Sequence, residues 1–245
     1  MTETVLITGA SSDLGGALAR RLLVGNTDTR VIAHSYKGTA RVQALVDEFA
    51  DRVHPVSADF SDSVQVAEMA DEVTARFGVP AQIVHLPALR LSYERLAKFN
   101  LDRFHQDMAI QVDAAIVLLK KFAPKMSKMD SARVVFVLSS VTRAMPPKFM
   151  SMYTVIKYAQ LGLMRAAAAE YAASGLTINA VSPSMIETQF VEEIGDVAIR
   201  MSAAANPKGR NAQPEDVIGA IEFLLSPAAG YMTGIALPIT GGSHC

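Results

Sequence analysis

Short apolar runs, rich in β-branched residues, recur along this chain, and each is followed by a stretch whose apolar residues fall three and four apart. The runs at 5–8, 31–33, 53–56, 82–86, 134–138 and 176–181 have the length and composition of buried strands. The intervening stretches at 14–23, 40–49, 64–77, 101–126 and 152–173 have helical periodicity. Strands that are apolar on both faces belong to a parallel sheet covered by helices on both sides, because each parallel connection needs a crossover. The pattern therefore predicts one doubly wound α/β domain over residues 1–245. The less regular segment 184–214 is the expected lid.

Composition narrows what such a domain can do. With 23 Lys and Arg against 24 Asp and Glu, the net charge of -1 supplies no field to track a phosphate backbone, so nucleic acid is not an expected partner. Half of the 245 residues are hydrophobic and 19% are charged, which predicts that some surface is buried between subunits of a homo-oligomer. The single cysteine, Cys245, can close no intrachain disulfide, and residues 1–10 lack the basic start of a secretory signal. No apolar run reaches the length of a membrane span. A cytoplasmic protein without a membrane partner is expected.

The chemistry starts where the first strand ends. Thr8-Gly9-Ala10-Ser11-Ser12-Asp13-Leu14-Gly15 is a glycine turn opening a helix, which presents backbone N–H groups and a positive helix end to a dinucleotide diphosphate. A glycine is expected at the middle position and Asp13 stands there instead. A carboxylate about 5 Å from a phosphate costs on the order of 3 kcal/mol at an effective dielectric near 20. Alternatively, Asp13 is the helix N-cap with its charge turned aside. After the second strand come His34, Ser35, Tyr36 and Lys37, with no acidic residue to grip a ribose diol; with Arg41 nearby, this loop suits the extra phosphate of NADP better than NAD. Asp59, past the third strand, either meets the adenine or caps the next helix.

At the other end of the cleft, Ser139-Ser140 closes a strand, and Tyr153 and Lys157 follow one helical turn apart. Residues four apart on a helix are neighbours, so the ammonium is expected to draw the phenol pKa toward neutrality and make Tyr153 the acid in a carbonyl reduction. Ser140 would hold the same oxygen. His85 has no second His or Cys nearby and reads as a packed strand end, so no metal site is expected.

Together these residues resemble the short-chain dehydrogenase/reductases, and the chain is most similar to the 3-oxoacyl-[acyl-carrier-protein] reductases. The resemblance rests on Thr8-Gly9 with Gly15, Asp59, Ser140, Tyr153 with Lys157, Asn179, Pro183, Ile186-Glu187-Thr188, Gly209-Arg210, and Tyr231-Met232-Thr233-Gly234 leading to Gly241-Gly242. It implies a Rossmann-type parallel sheet of about seven strands and a dimer or tetramer formed through the helices near 101–126 and 152–173. The catalytic set it implies is Ser140, Tyr153, Lys157 and Gln111, the last in place of the family's Asn. The cofactor set it implies is Gly9, Ser11, Ser12, Asp13, Leu14, Gly15, His34, Ser35, Lys37, Asp59, Phe60, Leu86, Pro87, Tyr153, Lys157, Pro183, Ile186 and Thr188. Here His85-Leu86-Pro87-Ala88 replaces the family's Asn-Asn-Ala-Gly.

The resemblance implies an NADPH-dependent reduction of the 3-oxo group of an acyl thioester on acyl carrier protein. The cluster Lys120, Lys121, Lys125 and Lys128 would receive the acidic carrier. Two alternatives stand beside it: a noncatalytic partner of an active homologue, motivated by Asp13, Pro87 and Gln111, and an oxidoreductase for another alcohol or ketone.

Overall fold

In the computed structural model, which describes residues 4–37 and 39–243, seven strands form one parallel sheet in the order β3-β2-β1-β4-β5-β6-β7. They are β1 (Thr4–Thr8), β2 (Arg30–Ser35), β3 (Val53–Ser57), β4 (Gln82–His85), β5 (Ala132–Val137), β6 (Leu176–Pro183) and β7 (Ala236–Ile239). Six coincide with the apolar runs of the sequence. The seventh carries Pro238 and pairs only with β6, and its half-buried residues lack the signature of a central strand. Cys245 and the first three residues lie outside the described residues.

Helices cover both faces. On one, α1 (Asp13–Gly25), α2 (Ala40–Phe49) and α8 (Pro214–Leu225) bury Leu18, Leu23, Val217 and Ile221 against Val5, Ile7 and Val31. On the other, α3 (Ser63–Phe77), α5 (Ala114–Met126) and α6 (Ser151–Glu170) bury Val66, Phe122, Met126 and Met164 against Leu6, Ile83 and Phe136. Alternate residues of one strand thus enter opposite cores, as Leu6 and Ile7 do, and this is why the strands are continuously apolar. Among the described residues no helix is long and apolar enough to cross a membrane.

The stretch 101–126 is not one uniform helix. It runs as α4 (Leu101–Met108), a π turn at Ala109–Asp113, and α5. A π turn releases carbonyls from the i to i+4 ladder, and here the Gln111 carbonyl accepts from side chains on β4 and α6 instead. The strand order reverses between β1 and β4, so the carboxyl ends of β1, β4, β5 and β6 open a crevice at that switch point. The remaining helix, α7 (Asp196–Ala205), belongs to the segment after β6 that lies over this crevice.

Candidate active site

A continuous cleft of about 1540 Å³ runs along this edge from the glycine turn to the β5–α6 loop. Gly9 sits at φ +79, where a side chain is strained. A Cβ on Gly15 would lie 2.4 Å from the Gly9 carbonyl, so both glycines are required by the turn itself. Ser12, not Asp13, is the N-cap of α1, its hydroxyl accepting from the Gly15 N–H at 3.0 Å. The capping role considered for Asp13 is thereby corrected, because Asp13 is already the first helical residue. Its carboxylate instead accepts from Arg41 at 2.6 Å through one oxygen and from the Gln189 N–H at 2.8 Å through the other. Arg41 also donates to the Ser11 carbonyl. The charge feared at the phosphate position is therefore paired, and the Arg41 guanidinium is held at the turn.

Beyond β2 and β3 the cleft is lined by Ser35, Tyr36, Lys37, Asp59 and Phe60, the stretch expected to meet an adenosine. His34 also lines the cleft here. It is buried at 3% exposure, stacks on Phe60 at 3.9 Å, accepts from the Gly9 N–H through Nδ1 and donates from Nε2 to the Ala58 carbonyl. Burial pushes its pKa down to about 4, against the opposing Ala58 carbonyl, which suits this neutral tautomer. His34 thus buttresses the glycine turn from behind. Asp59 accepts from the backbone and hydroxyl of Ser61, and the cap of α3 is Asp62.

His85 is packed as read from the sequence: Nε2 donates to the Gln111 carbonyl, Nδ1 faces the Thr8 hydroxyl, and burial holds its pKa down to about 3. Leu86 and Pro87 line the cleft, as do Pro183, Ile186 and Thr188 beyond β6.

At the reacting end, Tyr153 and Lys157 come together as the spacing requires, the ammonium 5.6 Å from the centre of the phenol ring. Lys157 is 3% exposed and donates to the Val137 carbonyl and to Gln160 Oε1, each at 2.9 Å. Burial lowers its pKa to about 8, opposed by the Asp107 carboxylate. The expected drift of the phenol toward neutrality does not occur. Burial pushes Tyr153 up to about 12, a hydrogen bond with Ser139 opposes this, and Asp107 adds to it. Desolvation of the phenolate dominates this balance.

Ser139 and Ser140 both line the cleft, and the Ser139 hydroxyl hydrogen-bonds with the Tyr153 phenol. The Gln111 amide does not reach the cleft. It donates to Asp107 Oδ1 at 2.8 Å, and what Gln111 offers the site is its carbonyl, which accepts from Gln160, the partner of Lys157. Asp107, which the sequence reading passed over, is 6% exposed, accepts from the Leu89 N–H as well, and is raised in pKa by burial. Its position four residues before Gln111 was the only signal available.

The segment after β6 covers the cleft. Arg90 and Arg103 pair with Glu192 and Glu193, the Leu91 N–H donates to the Phe190 carbonyl, and the Phe190 ring lies 6.0 Å from that of Tyr153. The lysine cluster on α5 is not at this site. Helix α5 runs toward the start of β5, so Lys125 and Lys128 lie near the amino edge of the sheet and Lys120 and Lys121 midway along the helix, where Lys121 pairs with Asp71. Among the described residues no group of His, Cys, Asp or Glu is arranged to hold a metal ion.

Residues 9–244 match the sequence profile of the family described as enoyl-(acyl carrier protein) reductase. The chain is 32% identical over 241 residues to the cis-4-hydroxycyclohexanecarboxylate dehydrogenase of Sinomonas cyclohexanicum, covering 98% of this chain and 96% of that protein. It is 26% identical to the 3-oxoacyl-[acyl-carrier-protein] reductase FabG of Staphylococcus aureus (strain N315), covering 100% and 99%. Levodione reductase superposes with a TM-score of 0.89 at 27% identity, over 100% of this chain and 98% of that one.

Proposed function

Because the chain belongs to the short-chain dehydrogenase/reductase family and is thus an NAD(P)-dependent oxidoreductase, we propose that it reduces a ketone with NADPH, using Tyr153 as the acid. The observation that carries this is the Lys157 ammonium against the Tyr153 ring inside the cleft that begins at the glycine turn. The residues present fit a dinucleotide: the Asp13 charge at the helix start is paired with Arg41, and the loop after β2 carries Lys37 and no acidic residue of its own, which favours a 2'-phosphate, although the Asp59 carboxylate faces Lys37. Gly9, Ser11, Ser12 and Leu14 would hold the diphosphate, and Pro183, Ile186 and Thr188 the nicotinamide end. When bound, that cofactor supplies the hydride to the carbonyl carbon.

The proton is the work of this chain. Tyr153, with its high pKa, is fully protonated at neutral pH and gives its proton to the carbonyl oxygen as negative charge develops there. Lys157, fixed by Val137 and Gln160, stabilises the phenolate left behind. Ser139 and Ser140 supply hydroxyls to the same oxygens. The sign of the pH dependence follows: the ammonium is present below about 8 and lost above it. Accordingly, log kcat/KM for reduction is expected to be level from about pH 6 and to fall with unit slope above about pH 8. A profile that stays level to about pH 10 would remove Lys157 from the step.

The first substrate class we assign is a 3-oxoacyl thioester on a carrier protein, carried by the sequence resemblance and by the 26% relatives that span the whole chain. The second is an alicyclic ketone, favoured by the cyclohexanecarboxylate dehydrogenase relative and by the apolar residues Leu91, Val141, Met150 and Val191 packed around Tyr153. The same proposal includes a lid at 184–214, a cytoplasmic setting, and self-association through apolar side chains exposed on α5 and α6, namely Ile116, Val155 and Tyr158. Thermal-shift titration with NADPH and NADH, followed by turnover of a short 3-oxoacyl thioester and of cyclohexanone, tests it. Saturable binding of NADPH with turnover is expected; no response to either nucleotide would favour a noncatalytic partner subunit.

A further inference from the structure

Phe149, four residues before Tyr153, has φ +70. Bulky side chains avoid this left-handed region because Cβ crowds the backbone, and a glycine would occupy it freely. The conformation is imposed from outside: the Glu94 N–H donates to the Phe149 carbonyl at 2.8 Å, and Glu94 pairs with Met150 as an isolated parallel bridge. Burial does not repay the strain, since Phe149 is 46% exposed. The exposed ring lines the cleft, together with Met145 at 88% and Met201 at 68% exposure. Arg95 lies over the ring, 5.9 Å from its centre. Exposed apolar side chains that line a cleft signify a ligand surface, and retained backbone strain points the same way.

We infer that Phe149 is a specificity-determining residue, held in a left-handed backbone so that its ring, with Met145 and Met201, gives the site a preference for a carbonyl borne on a saturated ring or alkyl chain. The inference rests on the reductase reading. It assigns these exposed cleft-lining side chains to the part of the substrate remote from the carbonyl, while Tyr153 faces the reacting group.

The test compares wild type and Phe149→Gly with NADPH and two ketones, cyclohexanone and acetone. The ratio of their kcat/KM values is expected to fall about tenfold or more in the variant, the size of effect an apolar pocket commands. The melting temperature should not fall, because glycine accepts the φ that phenylalanine resists. Phe149→Leu should retain most of the ratio. An unchanged ratio in Phe149→Gly with an active wild type would overturn the role of Phe149 alone. A drop in melting temperature accompanied by equal losses on both ketones would show a merely structural residue and overturn it as well. If wild type turned over a short 3-oxoacyl thioester but neither ketone, this inference would fail while the reductase reading stood; turnover of none of the three would overturn both.

Discussion

Tyr153→Phe is expected to lower kcat/KM for ketone reduction roughly a hundred- to ten-thousand-fold, the usual contribution of a positioned general acid. That range corresponds to about 3 to 5 kcal/mol of transition-state stabilisation. Only the hydroxyl is removed. The ring that packs beside Phe190 and under the Lys157 ammonium remains, so NADPH affinity should stay within about threefold and the loss should appear mainly in kcat. Stopped-flow measurement of hydride transfer in wild type and variant checks this directly. A variant that kept most of its rate would require another acid. Lys157 is the nearest cation, but its ammonium is engaged by the Val137 carbonyl and Gln160, so it is poorly placed to donate to substrate.

The largest stability effect is expected at Phe122. This side chain on α5 has no exposed surface and sits with Leu6, Val134 and Phe136 between the helix layer and the sheet. Phe122→Ala should cost about 3 to 5 kcal/mol from lost burial and the cavity left behind. In a chain of this size that is a fall in melting temperature of roughly 6 to 20 °C. Calorimetry with NADPH absent, so that ligand binding does not mask the change, measures it. A shift below about 3 °C would mean that the surrounding helices collapse into the space.

These expectations link two layers of the molecule. Helix α5 follows a π turn whose freed Gln111 carbonyl is the anchor for Gln160, and Gln160 in turn holds Lys157. The same carbonyl takes the His85 N–H, so β4, the helix through Gln111 and α6 meet at one acceptor directly behind the reacting residues. Asp107 tightens this junction by binding both the Gln111 amide and the Leu89 N–H of the loop after β4. Apart from Gln111 Oε1, which is buried without a hydrogen-bond partner among the described residues, the named polar groups of this junction are paired with one another, which ties catalytic geometry to the packing of the helix layer.

Six strands, the glycine turn and the Tyr153–Lys157 pair were legible in the residues alone. Each is a local fact: a buried parallel strand is a continuous apolar run, Gly9 and Gly15 stand where the backbone must turn tightly, and residues four apart share a helix face. Partners remote in the chain were not legible. Asp13 meets Gln189 across 176 positions and Arg41 across 28, and these contacts turned a repulsive charge into part of the turn. Likewise, spacing could not say that Ser139 meets Tyr153, that Gln111 would use its carbonyl, or that burial would raise the phenol. Periodicity reports the local backbone and its burial, whereas register, rotamer and the dielectric around a charge exist only after distant segments have packed.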